Sequence, residues 1–140
     1  MSLSDDIKTA LTANAALMAV LTGGIYNDVE EISRQNTAAA FDATTKELKP
    51  CALIKFGTEI PFSSAKIANA VQTPLTIYFY ERSGYVNIES AMDKTFVLLN
   101  DSQIGTNVWR CEFETGVYQQ RDTALDCPLG SLRFVAKRLR

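Results

Sequence analysis

Between Leu75 and Leu99 the period of the apolar positions changes once, and the change predicts a strand running into a helix. Leu75, Ile77 and Phe79 alternate with Thr76, Tyr78 and Tyr80, the period of two expected of a half-buried strand. Glu81 to Gly84 breaks that alternation. Ile88, Ala91, Met92, Thr95, Phe96 and Leu99 then recur every three or four residues, which makes one face of a helix. A strand followed at once by a helix lying back over the sheet predicts an α+β domain of two layers.

The same patterning divides the rest of the chain. Ser2 or Ser4 caps a first helix whose opening turn holds Asp5 and Asp6, carboxylates suited to the positive end of the helix dipole. Leu3, Ile7, Ala10 and Leu11 follow at helical spacing. Asn14 is a second N-cap that opens a short helix, closed by Gly23-Gly24, and Ile25-Tyr26 re-enters the core. Asn27 to Pro50 shows no period. It reads either as a solvated loop or as an arm that orders against a partner, with Asp28, Glu30 and Glu31 as a complementary acidic patch. A short helix around Glu30 to Gln35 fits within it, and deletion of Asp28 to Thr45 is expected to spare folding and impair assembly.

Cys51 to Phe56 reads as a strand, and Gly57 to Thr73 as a long connection with room for a hairpin excursion around Phe62 and Ser63-Ser64. Pro74 opens the central strand, where a missing amide donor is tolerable. From Asn107 to Tyr118 a further strand places Trp109, Cys111 and Phe113 on one face and Val108, Arg110 and Glu112 on the other, with Gly116 a candidate bulge. Asp122 to Asp126 is a hairpin loop, and Leu129 to Leu139 returns with Leu132, Phe134 and Ala136 inward. The expectation is a single α+β domain over 1–140 with a long irregular loop at about 27–50. Its two layers would be a mostly antiparallel sheet of about four strands, packed with N-terminal helices and one central helix.

Composition narrows the class. With 140 residues, 46% hydrophobic and 21% charged, the chain can bury a core without staples. A net charge of −2 disfavours a nucleic-acid binder, and no apolar run approaches the ~20 residues of a membrane helix. Asp5 and Asp6 stand where an export signal would carry positive charge. The sequence has no histidine, which removes the commonest general base, the usual serine and cysteine triads, and most zinc and iron sites. Cys51, Cys111 and Cys127 are odd in number and widely spaced, so they read as small apolar residues in a reducing cytoplasm, the alternative being a reactive thiol with no neighbour in sequence to support it. Gly23-Gly24 lacks the lysine and following helix of a phosphate loop. Glu112 and Glu114, two apart on a strand, are either a carboxylate pair or a solvated face. An enzyme is disfavoured, and no catalytic residue, cofactor or metal is expected.

Interface candidates remain. Tyr78 and Tyr80 look outward if helices cover the opposite face, and exposed tyrosines favour contact with a partner; the alternative is that the long loop covers them. The basic C-terminus, with Lys137, Arg138 and Arg140, complements the acidic residues Asp28, Glu30 and Glu31, which are followed by Arg34. Neighbours in a head-to-tail ring could pair such patches; the alternative is an ordinary solvated terminus.

The order of these segments resembles a known family. An N-terminal amphipathic helix, the segment Ala15-Ala-Leu-Met-Ala-Val-Leu-Thr-Gly-Gly-Ile-Tyr26, a long loop, a strand, Arg82-Ser-Gly-Tyr85 and the helix Ile88 to Leu99 are similar to the tail-terminator, or tail-completion, proteins of long-tailed bacteriophages. The resemblance spans nearly the whole chain, and its motifs are structural. It implies a virion structural protein that forms a hexameric ring on the tail tube, ends tail polymerisation and makes the head–tail joining surface. The implied partners are further copies of the chain, the tail tube protein and a head–tail connector or head-closure protein, brought together in the host bacterial cytoplasm. No membrane, cofactor or sequence-specific nucleic acid is implied. The alternatives are another neck component, such as a head-closure or adaptor protein, or a small bacterial ligand-binding domain or dimeric enzyme of ferredoxin-like architecture. A ring needs two different complementary faces, whereas a dimer uses one face twice.

Overall fold

Ser2 and Asn14 cap the first two helices. In α1 (Leu3–Thr12) the Ser2 hydroxyl accepts from the Asp5 amide at 3.1 Å, and in α2 (Ala15–Val20) the Asn14 side chain accepts from the Leu17 amide at 2.9 Å. The structure, a computed structural model, describes residues 2–61, 70–105 and 108–139. The excursion expected around Phe62 to Ser64 and the terminal Arg140 lie outside the described residues, as does the side chain of Trp109. After α2 the Gly23 amide donates to the Pro50 carbonyl at 2.7 Å, and a Cβ at Gly23 would stand 2.9 Å from that oxygen. Glycine therefore lets this turn lie directly against the start of the next long strand.

The strands are β1 (Ile25–Tyr26), β2 (Cys51–Phe56), β3 (Ile60–Pro61), β4 (Ala70–Tyr80), β5 (Ser102–Ile104), β6 (Val108–Asp122) and β7 (Cys127–Leu139). They form one sheet in the order β1-β2-β4-β7-β6-β5, with β3 also pairing with β4. β1 runs parallel to β2 and every other pair is antiparallel. The expected two-layer domain with a sheet of four strands is thereby corrected: the sheet is mixed, has seven strands and curls into a half-barrel. Its order is also not that of a βαββαβ ferredoxin-like domain. Sequence patterning missed the extra strands because β1, β3 and β5 are only two or three residues long, too short to display a period.

The register of β6 against β7 shifts between Val108 and Arg110, between Phe113 and Thr115, and between Val117 and Gln120. Each irregularity adds local twist, which suits a curled sheet. They fall on either side of Gly116, and the first moves Val108 off the face expected for it. Val108 and Cys111 are both buried, so Val108 does not share a face with the exposed Arg110.

Helix α3 (Val86–Leu99) starts without a side-chain cap from its own N-cap residue, Tyr85. The cap comes from further back. The buried Glu81 carboxylate accepts from the Asn87 amide at 3.1 Å, the Asn87 side chain at 2.7 Å and the Ile88 amide at 3.3 Å. A negative group thus sits on the exposed donors at the positive end of the helix.

The sheet is covered on both faces. On one, Leu75, Ile77, Phe79, Leu132 and Phe134 pack with Ile7, Leu11, Leu17, Ile88 and Met92 of the three helices. Phe96, expected on that apolar face, is 37% exposed and sets its ring edge-on to Phe113 at 5.0 Å. On the other face Ile32, Ala40, Leu53, Tyr80, Cys51 and Cys127 form a second cluster. Ile32 and Ala40 come from the 27–50 arm, which has a single 3-10 turn at Ala38–Ala40, a bridge between Phe41 and Leu48, and no helix at Glu30 to Gln35. Asp42 stiffens its far turn by accepting from the Thr44 and Thr45 amides, each at 2.8 Å. These bonds hold the Asp42 carboxyl below the usual carboxylate range. Deleting 28–45 would strip Ile32 and Ala40 from this cluster, so the structure predicts a loss of stability where the sequence predicted none.

Candidate functional site

The period of two in β4 fixes where its tyrosines point. Ile77 and Phe79 are fully buried under the helices, so Tyr78 and Tyr80 must face the arm. Of the two sequence readings, the covering loop is the one observed: Tyr80 is 6% exposed and Tyr78 half-buried. Cover is incomplete. Between the arm and the β6–β7 turn lies an open groove of about 580 Å³. Its floor is Leu53 and Lys55 of β2 with Tyr78 and Tyr80 of β4; its walls are Glu30, Glu31, Ile32 and Ser33 on one side and Asp122, Ala124 and Leu125 on the other.

Local bonds shape both walls. In the turn, Asp122 accepts from the Leu125 amide at 2.8 Å, and Arg121 Nε reaches Asp126 at 3.1 Å. In the arm, Thr37 is buried and exchanges bonds with Ser33: its amide and hydroxyl donate to the Ser33 carbonyl at 2.8 and 2.9 Å, and its oxygen accepts from the Ser33 amide at 3.1 Å. Burial raises the Tyr80 phenol above its ordinary pKa, with the Asp122 carboxylate the largest electrostatic contributor, so the phenol stays protonated across the neutral range.

The groove brings together four of the nine residues singled out from the sequence, Glu30, Glu31, Tyr78 and Tyr80. Asp28 is exposed at the start of the arm, outside the groove lining. Arg34 lies on the arm's far side with its guanidinium 5.6 Å from the centre of the Phe41 ring and a bond to the Lys46 carbonyl at 3.1 Å. Lys137 and Arg138 are at the opposite end of the sheet, because Leu139 pairs with Ala70 whereas Leu129 pairs with Tyr80. Both are engaged within the chain, Lys137 with Glu112 at 3.0 Å and Arg138 with Glu59 at 2.7 Å. Within the chain, then, Lys137 and Arg138 pair with strand-region carboxylates and not with the acidic arm. Sequence reasoning missed Leu53, Lys55, Asp122 and Leu125. The turn at Asp122 was legible, but not the face of the sheet toward which it folds.

The acid–base alternatives have little support in this geometry. Glu112 bonds Arg110 at 3.0 Å and Lys137 at 3.0 Å, and Glu114 bonds Arg133 at 2.9 Å, so both carboxylates have fixed cationic partners. All three cysteines are free and buried. Burial pushes the Cys51 and Cys111 thiols up to about 12 and Cys127 to about 11, which leaves them neutral and poorly nucleophilic. Among the described residues no group of three or more His, Cys, Asp or Glu is placed to hold a metal.

No family model matches the sequence, and no curated protein matches it. Solved structures do match, 21 chains in all. One is a chain from the virion of a native gene transfer agent (GTA) particle, with a TM-score of 0.64 and 16% identity over 99% of this chain and 96% of that one. At that identity the likeness establishes a shared fold from end to end.

Proposed function

We propose that this chain is a virion structural protein of tail-terminator type. In this reading it forms a ring, most simply of six copies, that caps the tail tube, ends its polymerisation and offers the joining surface for the head. The observation that carries the reading is the near-complete mutual coverage, 99% and 96%, with a chain that is part of a virion particle. The tail-terminator resemblance of the sequence points the same way. So does a groove whose walls carry charge and whose floor carries tyrosine, a composition that suits contact with a protein surface. Its partners would be further copies of itself, the tail tube and a head-closure or connector protein, and its role is binding without turnover.

Native mass spectrometry over a concentration series, with negative-stain images at the highest concentration and after mixing with purified tail tubes, tests this. Closed rings, alone or on tube ends, are expected. A discrete dimer that persists on concentration and leaves tube ends bare would overturn the reading, since an isologous dimer has used its interface.

A further inference from the structure

We propose that the groove over Tyr78 and Tyr80 is a docking slot for an extended cationic segment of a partner protein. The inference deepens the assembly reading and rests on it for the partner being another protein. Charge comes first. Glu30 and Glu31 have no ion-pair partner among the described residues, whereas Glu59, Glu112 and Glu114 of the strand region are all paired at 2.7 to 3.0 Å. Asp122 adds a third carboxylate from the opposite wall, against one lysine, Lys55, on the floor. The lining is net negative and split across two walls, so a basic side chain inserted between them meets acid on both sides.

The second observation is independent of charge. Tyr80 is 94% buried and lines the groove, and its hydroxyl has no hydrogen-bond partner among the described residues. A phenol in the groove floor whose hydroxyl no described residue engages is a ready partner for the main chain of a bound segment. The half-buried Tyr78 and Leu125 give apolar area for alternate side chains of that segment, and the Tyr78 ring can also face a guanidinium. A bare metal ion is disfavoured by the lack of clustered ligands among the described residues. A second copy's basic end is disfavoured because Lys137 and Arg138 are already paired.

The test is an isotope-edited NMR titration of the intact chain with an octapeptide of alternating arginine and leucine, run beside its glutamate-for-arginine twin. Saturable shifts at the Leu53, Tyr78, Tyr80 and Leu125 amides are expected with the arginine peptide only, vanishing near about 1 M salt, where the screening length is about 3 Å. The double substitution Glu30→Gln with Glu31→Gln, both exposed, should raise Kd roughly tenfold. Tyr80→Phe, which keeps the ring and removes the hydroxyl, should raise it by a smaller factor with little change in melting temperature. Equal response to both peptides, shifts outside the groove, or an unchanged Kd in the double variant would overturn the proposal. The titration is read whatever the oligomeric state. Rings without this binding would sink the groove alone, and binding by a persistent dimer would sink the ring alone.

Discussion

On one face of the sheet Phe79 is fully buried under three helices; on the other the next residue, Tyr80, is 6% exposed under an arm whose one helical element is a single 3-10 turn. The two covers bury neighbouring residues of the same strand to nearly the same degree by different means. The helices do so with a repeating stripe, in which Leu3, Ile7 and Leu11 or Ile88, Met92, Thr95 and Leu99 recur every three or four residues. The arm does so with single side chains, Ile32, Ala40 and the half-buried Phe41 and Leu48, separated by exposed polar residues. A continuous stripe gives many mutually supporting contacts, and isolated anchors give few, so the arm should be the weaker cover and the first to open.

Truncating one side chain on each side tests that difference most strongly. Phe79→Ala should cost about 4 kcal/mol, within the range for a fully buried aromatic, whereas Ile32→Ala should cost about 2 kcal/mol because the arm can settle into the space. Urea midpoints at constant m-value read both. Equal costs would mean that the arm is as rigid as the helices, and no cost for Ile32→Ala would mean that it is not a core element. Next comes the cap of α3. Glu81→Ala removes three bonds from the start of the helix and should cost about 2 kcal/mol, with Glu81→Gln losing less because the amide retains one acceptor.

The face covered by helices was legible in the sequence and the other was not. Leu75, Ile77 and Phe79 and the helical stripes follow from spacing, as do the caps at Ser2 and Asn14, because each signal is local. The seven-stranded half-barrel was hidden in strands of two or three residues and in the register shifts of β6, which spacing cannot display. The groove was half legible. Glu30, Glu31, Tyr78 and Tyr80 stood out by composition, but Lys55, Asp122 and Leu125 join them only through tertiary contact. The intrachain partners of Lys137 and Arg138, Glu112 and Glu59, were hidden for the same reason, being remote in the chain.

A smaller effect follows from the thiols. Cys51 and Cys111 rise from an ordinary 9.0 to about 12 on folding, chiefly through burial. Between these values the unfolded chain has lost protons that the folded chain keeps, so stability is level below pH 9 and declines as pH rises toward 12. Replacing Cys51, beneath the arm, with alanine should flatten part of that decline in an alkaline melting series. An unchanged slope would show that the thiol is not protected in the folded state.

The account stands on the arm being folded onto the sheet, because without it neither the second core nor the groove exists. Native-state hydrogen exchange tests this most directly. The amides of Thr37, Ala40, Asp42 and Lys49, each bonded to a backbone carbonyl at 2.8 or 2.9 Å, should be protected well above unfolded rates, though less than those of β4. Exchange of all four at unfolded rates, with β4 still protected, would contradict the account and leave Tyr78 and Tyr80 as an open surface.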